Sequence, residues 1–228
     1  MIAIAKHEFW QLFKSVKSIL VIVILLGASY FVSKNGAELI ALIDGGEGDD
    51  KKVYYSGLTL ILVLFGPLFT FALSHDVINR EVSNKTIRFL LTRTSHANIL
   101  IGKLLGVLSF WFICLACCYV VIIIYAKHVE LYLFLQMMLL LLFSVSLAFL
   151  LSVIVTKPFM SMFISVVLGL ALPVVSLLLG STEKWWGLFG YITPYQYLQN
   201  DDWKIIFMVL IGSVIMGLTY IVFKRRAY

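Results

Sequence analysis

The 228-residue chain is 61% hydrophobic and only 13% charged, with a net charge of +6, whereas a soluble globular domain carries about 25% charged residues. Together with a mean hydropathy of +1.00, this excludes an ordinary water-soluble domain and points to an integral membrane protein. No nucleic-acid partner is expected.

Residues 1–17 read as an amphipathic helix. Taking about 100° per residue, Ile2, Ala5, Phe9, Leu12, Phe13 and Val16 share one side, and His7, Gln11, Lys14 and Lys17 lie opposite. Such a helix lies in the headgroup plane with its basic face toward anionic lipid, as an elbow into the first membrane span. That span, 18–33, is short, but Lys17 and Lys34 have stems long enough to snorkel. Its basic flank, apolar core and the small residues Gly27 to Ser29 resemble a signal peptide, yet the patterned helix before it favours a retained span. The loop that follows, "SKNGAELIALIDGGEGDDKK", lacks the alternating ligands and terminal Glu of a calcium loop. It reads as a solvated turn with a short amphipathic piece, Leu39 to Ile43.

The second span is 53–74. After it comes "INREVSNKTIRFLLTRTSHANILIGK", where charges crowd between two apolar runs. Over 77–93 the pattern is helical: Ile78, Val82, Thr86, Phe89 and Leu90 share one arc, and Arg80, Glu81, Asn84, Lys85 and Arg88 the other, with Glu81 and Lys85 spaced as an i, i+4 pair. Thr94 or Ser95 is placed to cap the next helix, making "TRTS" a turn. Charges that only fix topology need no two-sided pattern, so this segment reads as a docking surface for a cytoplasmic partner.

Spans three to five are 104–126, 131–156 and 159–182. Cys114, Cys117 and Cys118 fall within the third, with no His or carboxylate nearby in sequence to complete a ligand set, and read as small apolar filler. The last outer loop, "STEKWWGLFGYITPYQYLQNDDW", is rich in Trp and Tyr. It fits one or two half-embedded helices, and equally an ordinary aromatic belt. The sixth span is 205–223.

Placing the N-terminus in the cytoplasm puts 12 of the 18 Lys and Arg, including all five Arg, on the cytoplasmic side, and nine of the 12 acids outside. The positive-inside rule therefore selects cytoplasmic N- and C-termini, consistent with an even number of spans in a multi-pass cell-membrane protein.

An all-α chain of six spans, an N-terminal elbow helix and a first cytoplasmic loop of this form resembles the permease subunits of type-2 ABC transporters, the exporter class. The family's loop runs from Glu through a small residue and Thr to a Leu pair, a turn, Ser and a closing Lys. This chain matches at Glu81, Thr86, Leu90, Leu91, Ser95 and Lys103, and "YITPYQYL" before the last span is also similar. Arg93 and Thr94 stand where the family often has Pro, and Asn84 and Lys85 where Gly is common.

The resemblance implies that 77–93 is a coupling helix seated on a separate ATP-binding subunit, with Arg80, Glu81, Asn84, Lys85 and Arg88 facing it and Glu81 the leading polar contact. It also implies two such ATPase subunits carrying ATP and Mg²⁺, and a second permease, either another copy or a relative. The chain itself has no P-loop: Ala97 precedes Gly102-Lys103 where a Gly is needed, and Leu104 follows.

The five long spans as drawn contain no Asp, Glu, Lys, Arg or His, which disfavours an ion-coupled carrier and a charge-selective channel. No catalytic, metal-binding or cofactor-binding constellation is expected, and the four histidines sit near interfaces. A translocation path would use Phe69, Phe71, Gln136, Ser144, Ser146, Ser165 and Ser176, suiting a hydrophobic or amphipathic cargo such as a peptide or lipid-like compound. Small polar residues are also common between packed membrane helices. Gly66-Pro67 and Pro173 are candidate hinge points. The alternative function is a non-transporting immunity or sensor protein that binds a peptide or toxin in the bilayer.

Overall fold

Hydrocarbon offers backbone N–H and C=O groups no partner, so a chain this apolar satisfies them within helices. The computed structural model describes residues 1–43, 50–180, 195 and 205–226. Among them lie nine helices and no strand: α1 (Ile2–Lys14), α2 (Val16–Ile43), α3 (Asp50–Ser74), α4 (Asn79–Ser83), α5 (Ile87–Arg93), α6 (His96–Ala126), α7 (Leu131–Ile154), α8 (Pro158–Gly180) and α9 (Ile205–Arg225). Six stretches are long and apolar enough to cross a membrane, within α2, α3, α6, α7, α8 and α9, the second running on from α3 into α4. The all-helical, six-span expectation holds.

The helix ends differ from the hydropathy bounds. Leu39 to Ile43 is the continuation of α2 rather than a separate piece. The third span begins eight residues earlier than its apolar run, at His96, because Ser95 caps it: the Ser95 hydroxyl accepts from the Asn98 N–H at 3.3 Å. At about 1.5 Å per residue, the 31 residues of α6 measure about 46 Å, well beyond about 30 Å of hydrocarbon. Its first turns, and Lys103 with them, therefore lie at the level of the interface.

The centre of the bundle is α7, whose apolar window is 61% buried, against 22 to 28% for α2, α8 and α9. It packs on α3, α6, α8 and α9, while α2 lies against α3 and α6. Leu25, Leu62, Phe110, Trp111, Leu115, Leu141, Val145 and Phe149 fill the core between them.

Two close approaches need glycine. A Cβ on Gly169 of α8 would stand 2.7 Å from the Leu68 Cα, so α8 meets the α3 backbone beside Pro67. On α6, a Cβ on Gly106 would stand 2.6 Å from the Ala5 carbonyl oxygen, and one on Gly102 would stand 3.0 Å from that of Met1. The stripe Gly102-x-x-x-Gly106 is thus a groove that receives α1 backbone to backbone. Pro67 and Pro173 both lie inside helices that continue past them. The Thr70 hydroxyl donates back to the Gly66 and Pro67 carbonyls at 2.6 and 3.0 Å.

One end of the bundle gathers α1, α4, α5, the start of α6 and the ends of α7 and α9. There the His96 ring meets Phe223 edge-on, and the Arg226 guanidinium donates to the Ile154 carbonyl. Toward the other end, the Tyr55 hydroxyl donates to the His128 carbonyl. Tyr195 is buried with Leu140 and Met208, about 13 Å along α7 from its N-terminal start. The half-embedded helices expected in the rest of that loop lie outside the described residues.

Candidate functional site

The charged segment after α3 does not form the single helix expected over 77–93. It breaks into α4 and α5 at Asn84, Lys85 and Thr86, where Lys85 takes a left-handed φ of 59°. That conformation suits Gly and is strained for a side-chain-bearing residue. The break resets the helical phase. Phe89, assigned to the apolar inner arc with Ile78, is instead 74% exposed, while Arg80 and Glu81, assigned to the outer arc, turn inward.

The turn before α4 is fastened to the core. Ser152 of α7 accepts from the buried N–H groups of Ile78 and Asn79 at 2.9 and 3.1 Å, and the Asn79 amide donates to the Val155 carbonyl at 3.2 Å. The Ser161 hydroxyl of α8 donates to the His75 carbonyl at 2.7 Å. Ser152→Ala leaves two buried N–H groups without an acceptor, each worth about 1–3 kcal/mol. Its expected result is a melting temperature several degrees below wild type in detergent, with Ser109→Ala, whose exposed hydroxyl bonds only its own helix, unchanged.

Inward, α4 enters a buried ion cluster. Lys103 of α6 is fully buried, and its ammonium is held between Glu8 of α1, with which it makes a short ion pair, and Glu81 of α4 at 2.6 Å. Arg80 reaches the other Glu8 oxygen at 3.7 Å, Asp76 at 3.5 Å and the Gln11 side-chain oxygen at 2.9 Å. Glu8 is 2% exposed, at the centre of the α1 face that packs on the glycine groove. A low-dielectric setting makes an unpaired charge here costly, so the three elements are joined through a set of groups that need one another. Glu81 thus pairs with Lys103 of its own chain and not with Lys85, which is exposed.

The apolar run 104–126 itself carries no charge, and α6 extends beyond it to include Lys103, one residue before the run. The ammonium is compensated by two carboxylates at the interfacial level, unlike an ionisable group deep in a span.

Outward, Asn84, Lys85, Arg88 and Phe89 are exposed. Of the five residues expected to face a partner, the structure presents Asn84, Lys85 and Arg88, and engages Arg80 and Glu81 internally. Beside them a groove of about 540 Å³ runs between α1 and α4–α5, lined by Ala3, His7, Gln11, Thr86, Phe89 and Leu90 among others. Phe89 is the residue that helical periodicity missed; the family's Gly at the Asn84–Lys85 position was the signal of the break.

The path candidates are mostly built into the packing. Phe71, Gln136, Ser144, Ser146, Ser165 and Ser176 are buried and Phe69 partly so. The hydroxyls of Ser144, Ser146 and Ser176 donate to carbonyls one turn back in their own helices, at 2.9, 2.8 and 2.7 Å. The Gln136 amide nitrogen and the Ser165 hydroxyl are buried without a partner. Cys114 and Cys118 are buried and Cys117 is exposed, all as free thiols. Among the described residues no three His, Cys, Asp or Glu side chains gather as metal ligands.

A family model described as an ABC-2 family transporter protein matches residues 2–227, nearly the whole chain. Among curated proteins, none matches it.

Proposed function

The chain belongs to the ABC-2 transporter family, a family of membrane transport components, and from that premise we propose that it is the permease subunit of an ATP-driven exporter, coupled to a separate ATP-binding subunit through α4 and α5. The observation that carries this reading is the two-sidedness of that segment. Its inner side is tied by Glu81 and Arg80 to α6 and α1, while its outer side offers an exposed aromatic, Phe89, flanked by Lys85 and Arg88. An exposed aromatic beside Arg is the composition of an interface anchor.

In this reading the end of the bundle that carries both termini and the basic segment faces the cytoplasm, as its Lys and Arg content argues. Two ATP-binding subunits, which supply ATP and Mg²⁺, close on nucleotide and push on α4–α5. The ion cluster passes the displacement to α1 and α6 together, because packed elements switch between discrete arrangements rather than deform. A second permease, identical or homologous, completes the path, and the weakly polar, aromatic interior suits a hydrophobic or amphipathic cargo such as a peptide or lipid-like compound.

The test is co-purification in detergent from cells that express the chain with its candidate ATPase. A P-loop protein is expected to be retained by wild type and to fall at least about tenfold in Phe89→Asp, as for an interface anchor, with the melting temperature of the permease unchanged. Equal retention by Phe89→Asp refutes the contact. Absence of any P-loop protein favours the non-transporting immunity or sensor reading.

A further inference from the structure

A second cavity, of about 170 Å³, lies between α1, the start of α2 and the turn that ends α3. It has room for several waters or a small headgroup. Its charged lining is Glu8, Lys17, Asp76 and Arg80, two cations and two anions around the His75 imidazole, with Gln11 and Ser15 as the neutral polar residues. His75 is 5% exposed, and its Nδ1 lies 3.1 Å from the Ala72 carbonyl oxygen. A carbonyl only accepts, so Nδ1 carries a proton, and in the neutral ring Nε2 is then an acceptor. Among the described residues no hydrogen bond to Nε2 is seen, and His75 is one of the residues that line the cavity.

The charges around the ring choose the ligand. Asp76 and Lys17 both act on it electrostatically, from opposite sides of the charge ledger. A bare anion in this cavity meets the Glu8 and Asp76 carboxylates, and a bare cation meets Lys17 and Arg80; a zwitterion meets a partner for each end. Arg80 is already shared among Glu8, Asp76 and Gln11, which leaves exposed Lys17, the Gln11 amide and the Ser15 hydroxyl as the donors for an anionic group. Nε2 and Asp76 together call for a donor that carries N–H bonds and positive charge. Next to the cavity, Val16, Ile19, Leu20 and Val23 of α2 form an exposed apolar strip at the membrane level.

We propose that this cavity binds a phosphoethanolamine group, carried by a phosphatidylethanolamine molecule. Its phosphate takes hydrogen bonds from Lys17 and Gln11, its primary ammonium donates to His75 Nε2 and Asp76, and its acyl chains run along the apolar strip of α2. Phosphatidylcholine has the same phosphate, but methyl groups replace the N–H donors, so the imidazole is left unpaired. Phosphatidylglycerol has no amine. The cavity shares Glu8, Gln11 and Arg80 with the groove beside α4 and α5, but the lipid proposal does not rest on the ATPase contact and is tested separately from it.

The experiment is native mass spectrometry of the full chain released from nanodiscs containing equal amounts of phosphatidylethanolamine, phosphatidylcholine and phosphatidylglycerol. Wild type is expected to retain phosphatidylethanolamine over the other two by on the order of tenfold, the ratio set by one charge-assisted hydrogen bond. His75→Phe should bring the lipids to near parity. Lys17→Gln, at an exposed position that leaves the fold intact, should lower retained phosphatidylethanolamine several-fold. Titration of lipid-stripped protein with soluble phosphoethanolamine separates the sources: binding there that Lys17→Gln weakens, without selective lipid retention, assigns the same chemistry to a free zwitterion. Equal retention of phosphatidylcholine by wild type together with no Lys17-dependent binding of soluble phosphoethanolamine, or selectivity untouched by both variants, overturns the site.

Discussion

Lys103→Met is expected to destabilise the protein by about 3–5 kcal/mol, the cost of removing one partner from a buried ion pair. The ammonium is fully buried between Glu8, itself 2% exposed, and Glu81, one of whose oxygens is buried and has no partner even in the intact cluster. Without Lys103, Glu8 keeps only the 3.7 Å approach of Arg80, and Glu81 keeps nothing. In a thermal melt in detergent the loss should amount to a shift on the order of 10 °C. The double variant Glu8→Met/Lys103→Met removes one charge of each sign and fills the space with apolar atoms. It is expected to melt closer to wild type than Lys103→Met alone, because it orphans one buried carboxylate, Glu81, rather than weakening two. A double variant that melts at the sum of the two single losses would mean that the groups do not act as a unit.

That cluster also marks where the sequence was legible and where it was not. The spans could be read because hydrocarbon imposes one requirement, a run of apolar residues of fixed length, and α7 or α9 meets it with little ambiguity. The position of Ser95 as a cap was legible for a similar reason, since capping is a local hydrogen bond. The inner face of α1 was not. Periodicity grouped Ile2, Phe9 and Leu12 on one apolar side and gave Glu8 no place, yet Glu8 is 2% exposed. A hydrophobic-moment argument assumes that the face meets lipid, whereas α1 meets a glycine groove on α6 with an ammonium between the two glycines. The signal lay in the chemistry of the rarer residues: all three acids on the basic side of the chain, Glu8, Asp76 and Glu81, belong to the one cluster. Counting charges for topology treats them as dilution. The break between α4 and α5 was similarly marked by Asn84 and Lys85 at a position where the family favours Gly. Lys85 there adopts the left-handed backbone that a glycine takes without strain.

Gly106→Leu is expected to lift α1 off α6. A Cβ at this position would stand 2.6 Å from the Ala5 carbonyl oxygen and 2.9 Å from the Glu8 Cβ, and neither is the free end of a flexible side chain. The backbone of α1 must therefore move by more than a rotamer change, and overpacking of this kind costs about 1–3 kcal/mol. Movement of α1 also draws Glu8 away from Lys103, so the steric cost brings an electrostatic one with it. Limited tryptic cleavage after Lys6 and Lys14, slow while α1 is docked, should accelerate by on the order of 100-fold if the docked state loses about 3 kcal/mol. Gly217→Leu is the control, since nothing lies within 4 Å of a Cβ there, and its cleavage rate should match wild type. The combination with Lys103→Met separates packing from charge. If α1 is held by both the glycine groove and the ion pair, Gly106→Leu already forfeits part of the pair. The double variant then loses less than the two single losses added together. Full additivity would mean that Glu8 stays with Lys103 after α1 has left the groove, which the 2.9 Å approach of its Cβ to the new side chain does not permit.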